Sequence, residues 1–176
     1  MRWIVLTGAL IGCAEEADEL AGEALGPPAF ELAVSQMGSG GRARLSAAPV
    51  PPGFLVHFAL STSGPGAGPC PRLLGGACLD VLVPTYLGST TANADGLASL
   101  VVGVPAGVRD GTRTWSQAVG MDAAGRVAKS DVEPRVTGPL ACPAIWAPVC
   151  GYDGVTYGND CEASAMGMVV AYSGPC

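Results

Sequence analysis

Seven cysteines and a single histidine carry the most reactive side chains of this 176-residue sequence, and their spacing limits the chemistry open to them. His57 lies inside Phe54-Leu-Val56-His-Phe58-Ala-Leu60, an alternating apolar run that reads as a strand, so a structural and partly exposed role is expected rather than proton transfer. No serine occupies a G-x-S-x-G elbow, and neither a phosphate-cradling loop nor a calcium loop occurs. Cys70 and Cys78 have no second cysteine pair or nearby histidine to complete a zinc site. The remaining cluster, Cys142, Cys150, Cys161 and Cys176, is spaced C-x7-C-x10-C-x14-C. A segment of about 35 residues is below the roughly 40 at which a hydrophobic core alone holds a fold, so these thiols are expected to form cross-links. Neither an enzyme nor a bound cofactor or metal is expected.

The string around the second and third of those cysteines is Pro148-Val-Cys150-Gly-Tyr-Asp-Gly-Val-Thr-Tyr157-Gly-Asn159-Asp-Cys161. Together with the cysteine spacing, it resembles the Kazal family of serine-protease inhibitor domains over residues 142–176. The resemblance implies a small disulfide-rich α+β domain with bridges Cys142–Cys161 and Cys150–Cys176. Each bridge would stabilise by about 3 kcal/mol through loop closure. Kazal domains usually carry a third bridge, whose ends correspond here to Ser164 and to a residue before Cys142. Both cysteines are missing, which makes the chain similar to a two-bridge variant and puts the rigidity of its loop in question.

The same resemblance assigns roles. It implies that the stretch between Cys142 and Cys150 enters a protease like a substrate, with Ala144 in the primary specificity pocket and Ala144–Ile145 as the scissile bond. Pro143 and Trp146 would make the flanking contacts. Asn159 would hydrogen-bond the carbonyls on either side of that bond, with Tyr157 packed beneath it. A small alanine suits an elastase- or subtilisin-like pocket and offers nothing to a trypsin-like pocket lined by a carboxylate. The alternative is a non-inhibitory surface module for adhesion or structural binding, because inhibitor-like modules also serve as spacers.

The front of the sequence bears on location. Met1-Arg2 and the apolar run Trp3–Leu10 lead into Leu10-Ile11-Gly12-Cys13, which resembles a bacterial lipobox. That resemblance implies a signal peptide over 1–12, lipidation of Cys13 and an envelope location; with Ala14 and not aspartate next, it is similar to outer-membrane lipoproteins. The alternative is an ordinary signal peptide. The run is far shorter than the ~20 residues that span a bilayer. Lipidation would also resolve the odd cysteine count, leaving Cys70 and Cys78 to close a short loop as a third disulfide in an oxidising compartment. Residues 13–28 are acidic and read as a solvated tether that reaches on the order of 50 Å when extended.

Between tether and cysteine cluster, residues 29–137 are rich in valine, leucine, alanine, glycine and proline. Strands are expected at Phe30–Val34, Arg42–Ala47, Phe54–Leu60, Leu79–Ser89, Ala98–Val104, Thr112–Met121 and Arg126–Ser130, with turns at Gly38–Gly41, Asn93–Gly96 and Asp110-Gly111. The pattern predicts a mainly β protein, an antiparallel sandwich that resembles immunoglobulin- or fibronectin-like modules, followed by the small Kazal-like domain. Residues 138–141 would link two independent folding units. The net charge of −6 argues against nucleic acid, since phosphate binding needs a basic surface. The expected partners are a serine protease and, through the lipid anchor alone, a membrane.

Overall fold

The computed structural model describes residues 30–176. The expected signal peptide, the lipidation at Cys13 and the acidic tether lie outside the described residues. The described chain is mainly β. Strands β1 (Glu31–Val34), β2 (Arg42–Ala48) and β5 (Ala98–Gly103) form one antiparallel sheet in the order β1-β2-β5. A second sheet runs β4-β3-β6-β7, from β4 (Thr85–Thr91), β3 (Leu55–Ser61), β6 (Arg113–Met121) and β7 (Val127–Lys129), with β8 (Glu133–Val136) pairing the other half of β6. Alternation decides which side chains meet between the sheets. Leu32 and Val34 of β1, with Leu45 and Ala47 of β2, face Val56 and Phe58 of β3 and Ala118 of β6 in one buried cluster.

Two differences from the sequence expectation have physical causes. The strand expected over Leu79–Ser89 begins only at Thr85, because residues 64–84 fold back over the outer face of the second sheet. Leu74, Leu79 and Val81 bury themselves there against Ala59 and Val119. The disulfide Cys70–Cys78 closes the turn that carries Leu74. Gln117, fully buried on that face, ties the excursion down: it accepts from Asp80 N at 2.8 Å and donates to Asp80 Oδ2 at 2.7 Å. Lys129 neutralises the same carboxylate at 2.6 Å. The second difference is β8, whose sequence Glu-Pro-Arg-Val carries a proline; Pro134 is tolerated because β8 pairs on one side only.

The excursion also explains His57, which is 4% exposed and therefore buried, not partly exposed as its sequence context suggests. Its Nδ1 lies 3.2 Å from Tyr86 Oη, and Nε2 has no partner. Burial lowers its pKa below the ordinary 6.5, so the folded chain holds the ring neutral. Unfolding then takes up a proton once the pH drops below about 6.5, so this stabilisation is present above that value and is lost as pH falls through the folded pKa. Thermal melts between pH 7.5 and 5 should show a falling midpoint, and His57→Gln should flatten that slope. An unchanged slope in the variant would exclude His57 as its source.

The C-terminal segment contains β9 (Val149–Gly151), β10 (Thr156–Tyr157), the helix α1 (Asp160–Ala165) and β11 (Val170–Ser173), with the strands in the order β10-β9-β11. Cys142–Cys161 and Cys150–Cys176 are both bridged. This segment packs on the outer face of the first sheet. Ala33 and Ala48 on the outer face of the first sheet share a buried cluster with Val169, flanked by Leu97 and Tyr152. Small side chains on that face, including the hydrogen-bonded pair Ser46 and Ser99, leave room for a third layer.

Candidate functional site

Residues 142–148 have no regular secondary structure and run between two fixed points. Cys142 is anchored by its bridge to Cys161 in the first turn of α1, and Val149 enters the buried centre strand β9. Between them Pro143 to Ala147 are all exposed, with Ile145 at 62% and Trp146 at 76%. Ile145 and Trp146 are adjacent, so the loop presents a continuous apolar surface to solvent.

Asn159 holds the loop from beneath. It is 4% exposed and sits at the N-cap of α1, where its Oδ1 accepts from Glu162 N at 2.9 Å. Its Nδ2 is thereby free to face the loop, donating to Pro143 O at 3.2 Å and to Ile145 O at 3.0 Å. These two carbonyls bracket Ala144 and the Ala144–Ile145 peptide. A third tie follows at once, from Ala147 N to Gly158 O at 2.9 Å. One side chain therefore joins the start of a helix to the loop backbone at two carbonyls.

Tyr157 is half-buried beside β9. Its ring edge abuts Gly151, where a Cβ would come within 2.8 Å of Cε2, and its hydroxyl donates to Asp153 Oδ2 at 2.7 Å. Burial, reinforced by the bond to the Asp153 carboxylate, pushes the Tyr157 pKa up to about 12, so the hydroxyl stays a donor throughout the physiological range. The tyrosine braces the β9–β10 hairpin that leads into Asn159.

Sequence reasoning missed Glu162. Its Oε2 accepts from Gly158 N at 3.1 Å while its own N–H caps on Asn159, a variant of the reciprocal capping arrangement. The signal was the spacing Asn159-x-x-Glu162. Also missed was the partner of Ser164, which accepts from Arg135 Nη2 at 2.7 Å across the two layers; no sequence signal announces that pair.

Nothing in the loop is a nucleophile, acid or base. It presents backbone and apolar side chains. Comparison with known proteins agrees on the segment. The model of the Kazal-type serine protease inhibitor domain matches residues 128–168, beginning in the sandwich at β7 and ending before Cys176. Protease inhibitor 2 of Cenchritis muricatus is 44% identical over 45 residues, covering 22% of this chain and 90% of the relative. Serine protease inhibitor Kazal-type 1 of Bos taurus is 44% identical over 41 residues, covering 20% of this chain and 52% of the relative, about half its length. The protein of that name from Sus scrofa is 42% identical over 41 residues, covering 20% of this chain and 73% of the relative. Through this C-terminal segment, the chain belongs to the Kazal-type serine protease inhibitor family, a family of inhibitors and not of enzymes.

Proposed function

We propose that the chain inhibits a serine protease by inserting the 142–148 loop into the active-site cleft like a substrate, with Ala144 in the primary pocket and Ala144–Ile145 as the scissile bond. The observation that carries this reading is the pair of Asn159 Nδ2 bonds to the carbonyls of residues 143 and 145. Such ties order the loop before it docks, which lowers the entropy cost of binding. They also keep the two ends of a cut bond close enough to rejoin. Pro143, Ile145 and Trp146 supply the flanking contacts, and the small Ala144 side chain favours elastase- or subtilisin-like pockets.

Titration of the purified chain against elastase, subtilisin and trypsin tests this. Tight inhibition of either of the first two, with trypsin spared, is expected. Failure to inhibit any of them would favour the alternative, a non-inhibitory surface or adhesion module.

The location belongs to the same proposal. Leu10-Ile11-Gly12-Cys13 supports a lipid-anchored exported chain, and the three bridges among the described residues suit an oxidising compartment. Mass spectrometry of the mature N-terminus should find a diacylglyceryl group on Cys13. A mature chain starting elsewhere without lipid would refute it. We read the sandwich as immunoglobulin- or fibronectin-like: in the lettering of those folds, β1-β2-β5 corresponds to A-B-E and β3-β6-β7 to C-F-G, with β4 added beside C.

A further inference from the structure

Helix α1 is six residues long, well under the roughly 12–15 at which a helix becomes even marginally stable in water. Its N-terminal end carries the loop, through Asn159 and through Cys161. Its C-terminal end is held by the sandwich. Gln36 N donates to Ala165 O at 3.0 Å, satisfying one of the last helical carbonyls. The half-buried Arg135 of β8 donates from Nη2 to Ser164 Oγ at 2.7 Å and pairs with Glu133 at 3.1 Å.

Gly167 completes the clamp. It has φ 68°, in the left-handed region that favours glycine, and lies so near the first sheet that a Cβ would meet Arg44 O at 2.5 Å and Ser35 N at 2.7 Å. The chain leaving α1 is thus pressed onto the backbone of β2 and the end of β1, and Val169 follows it into the shared cluster with Ala33 and Ala48.

We propose that Arg135 and Gly167 are positioning residues for the protease-binding loop, so that the rigidity of that loop is set by the sandwich as well as by its own two bridges. This rests on the reading of residues 142–148 as the protease-binding loop. Both residues lie outside the 142–148 loop, at the far end of α1. They act by fixing one end of a short helix whose other end, Asn159, holds the carbonyls of residues 143 and 145. The sandwich is then a working part of the inhibitor and not a spacer.

The test uses the full chain and two variants, Arg135→Met and Gly167→Ala, with Arg135→Lys as the conservative rescue. Amide hydrogen exchange at Ala147, bonded to Gly158 O, and at Glu162, capped by Asn159, reads the loop support directly. In both variants exchange at these two amides should rise about tenfold or more, while Phe58 and Ala118 in the sandwich core stay unchanged. Arg135→Lys should restore most of the protection. Where the wild type inhibits, both variants should bind the same protease more weakly and be cut faster at Ala144–Ile145. Unchanged exchange at Ala147 and Glu162, or equal acceleration in the sandwich core, would overturn the proposal. A wild type that inhibits nothing defeats the inhibitory reading instead, and the exchange experiment still decides whether the sandwich holds the loop.

Discussion

Ala144→Arg is expected to move inhibition from elastase- or subtilisin-like proteases toward trypsin-like ones, changing the ratio of inhibition constants by about a hundredfold, or ~3 kcal/mol. Ala144 is exposed, and the two carbonyls bracketing it are held by Asn159, so the backbone course of the loop does not depend on the side chain at 144. A longer side chain therefore extends outward without repacking the domain. In a trypsin-like pocket the guanidinium meets a buried carboxylate and forms a charge-assisted bidentate pair. In a small apolar pocket the same group is desolvated without a partner and binding falls. Inhibition constants for both proteins against one enzyme panel measure the shift. If the wild type inhibits and its selectivity survives Ala144→Arg, the reactive bond lies elsewhere.

The second large effect is at Asn159, where two substitutions separate two roles. Asn159→Ala removes both hydrogen bonds to the loop and the acceptor for Glu162 N, so inhibition should weaken by about 1–3 kcal/mol and the helix cap should lose about 1 kcal/mol. Asn159→Asp keeps an oxygen for Glu162 N, so the cap survives. It places a carboxylate oxygen, however, where the amide donated to Pro143 O and Ile145 O. Three acceptors then face one another with no proton between them, and inhibition should suffer at least as much as in the alanine variant. Helicity and thermal stability near neutral pH would follow the order wild type, aspartate, alanine, whereas inhibition would fall in both. An aspartate variant that inhibits like the wild type would show that the cap alone matters and that the loop bonds do not.

The cysteine spacing and the Tyr157-Gly-Asn159 string made the small domain legible because a chain so short has few ways to close. Most strands of the sandwich were legible for a different reason: alternation marks any strand with one buried face. Leu79–Val83 misled because an apolar stretch packs equally well as strand or as covering loop, and only the buried Gln117–Asp80 contact shows which. Glu133–Val136 carries no strand signal in the sequence, because Pro134 argues against a central strand and is silent about an edge. The docking of the C-terminal segment left the least trace. Ala33, Ser46 and Ala48 are small, and small residues on a strand do not say whether they face solvent or another backbone. The burial of His57 has the same origin, since its neighbours come from residues 69–84 and from Tyr86 of β4 and not from its own strand.

The most direct measurement is to identify the bond that a susceptible protease cuts. The full chain is incubated for long periods with a catalytic amount of an elastase-like or subtilisin-like enzyme that it inhibits, and the products are mapped by mass spectrometry with and without reduction. A single nick at Ala144–Ile145 is expected, slow to accumulate and stopping short of completion, with the Ala144-ended and Ile145-started pieces held together by Cys142–Cys161 until reduction. Rapid cleavage at several bonds, or inhibition with a nick at any other position, would contradict the account.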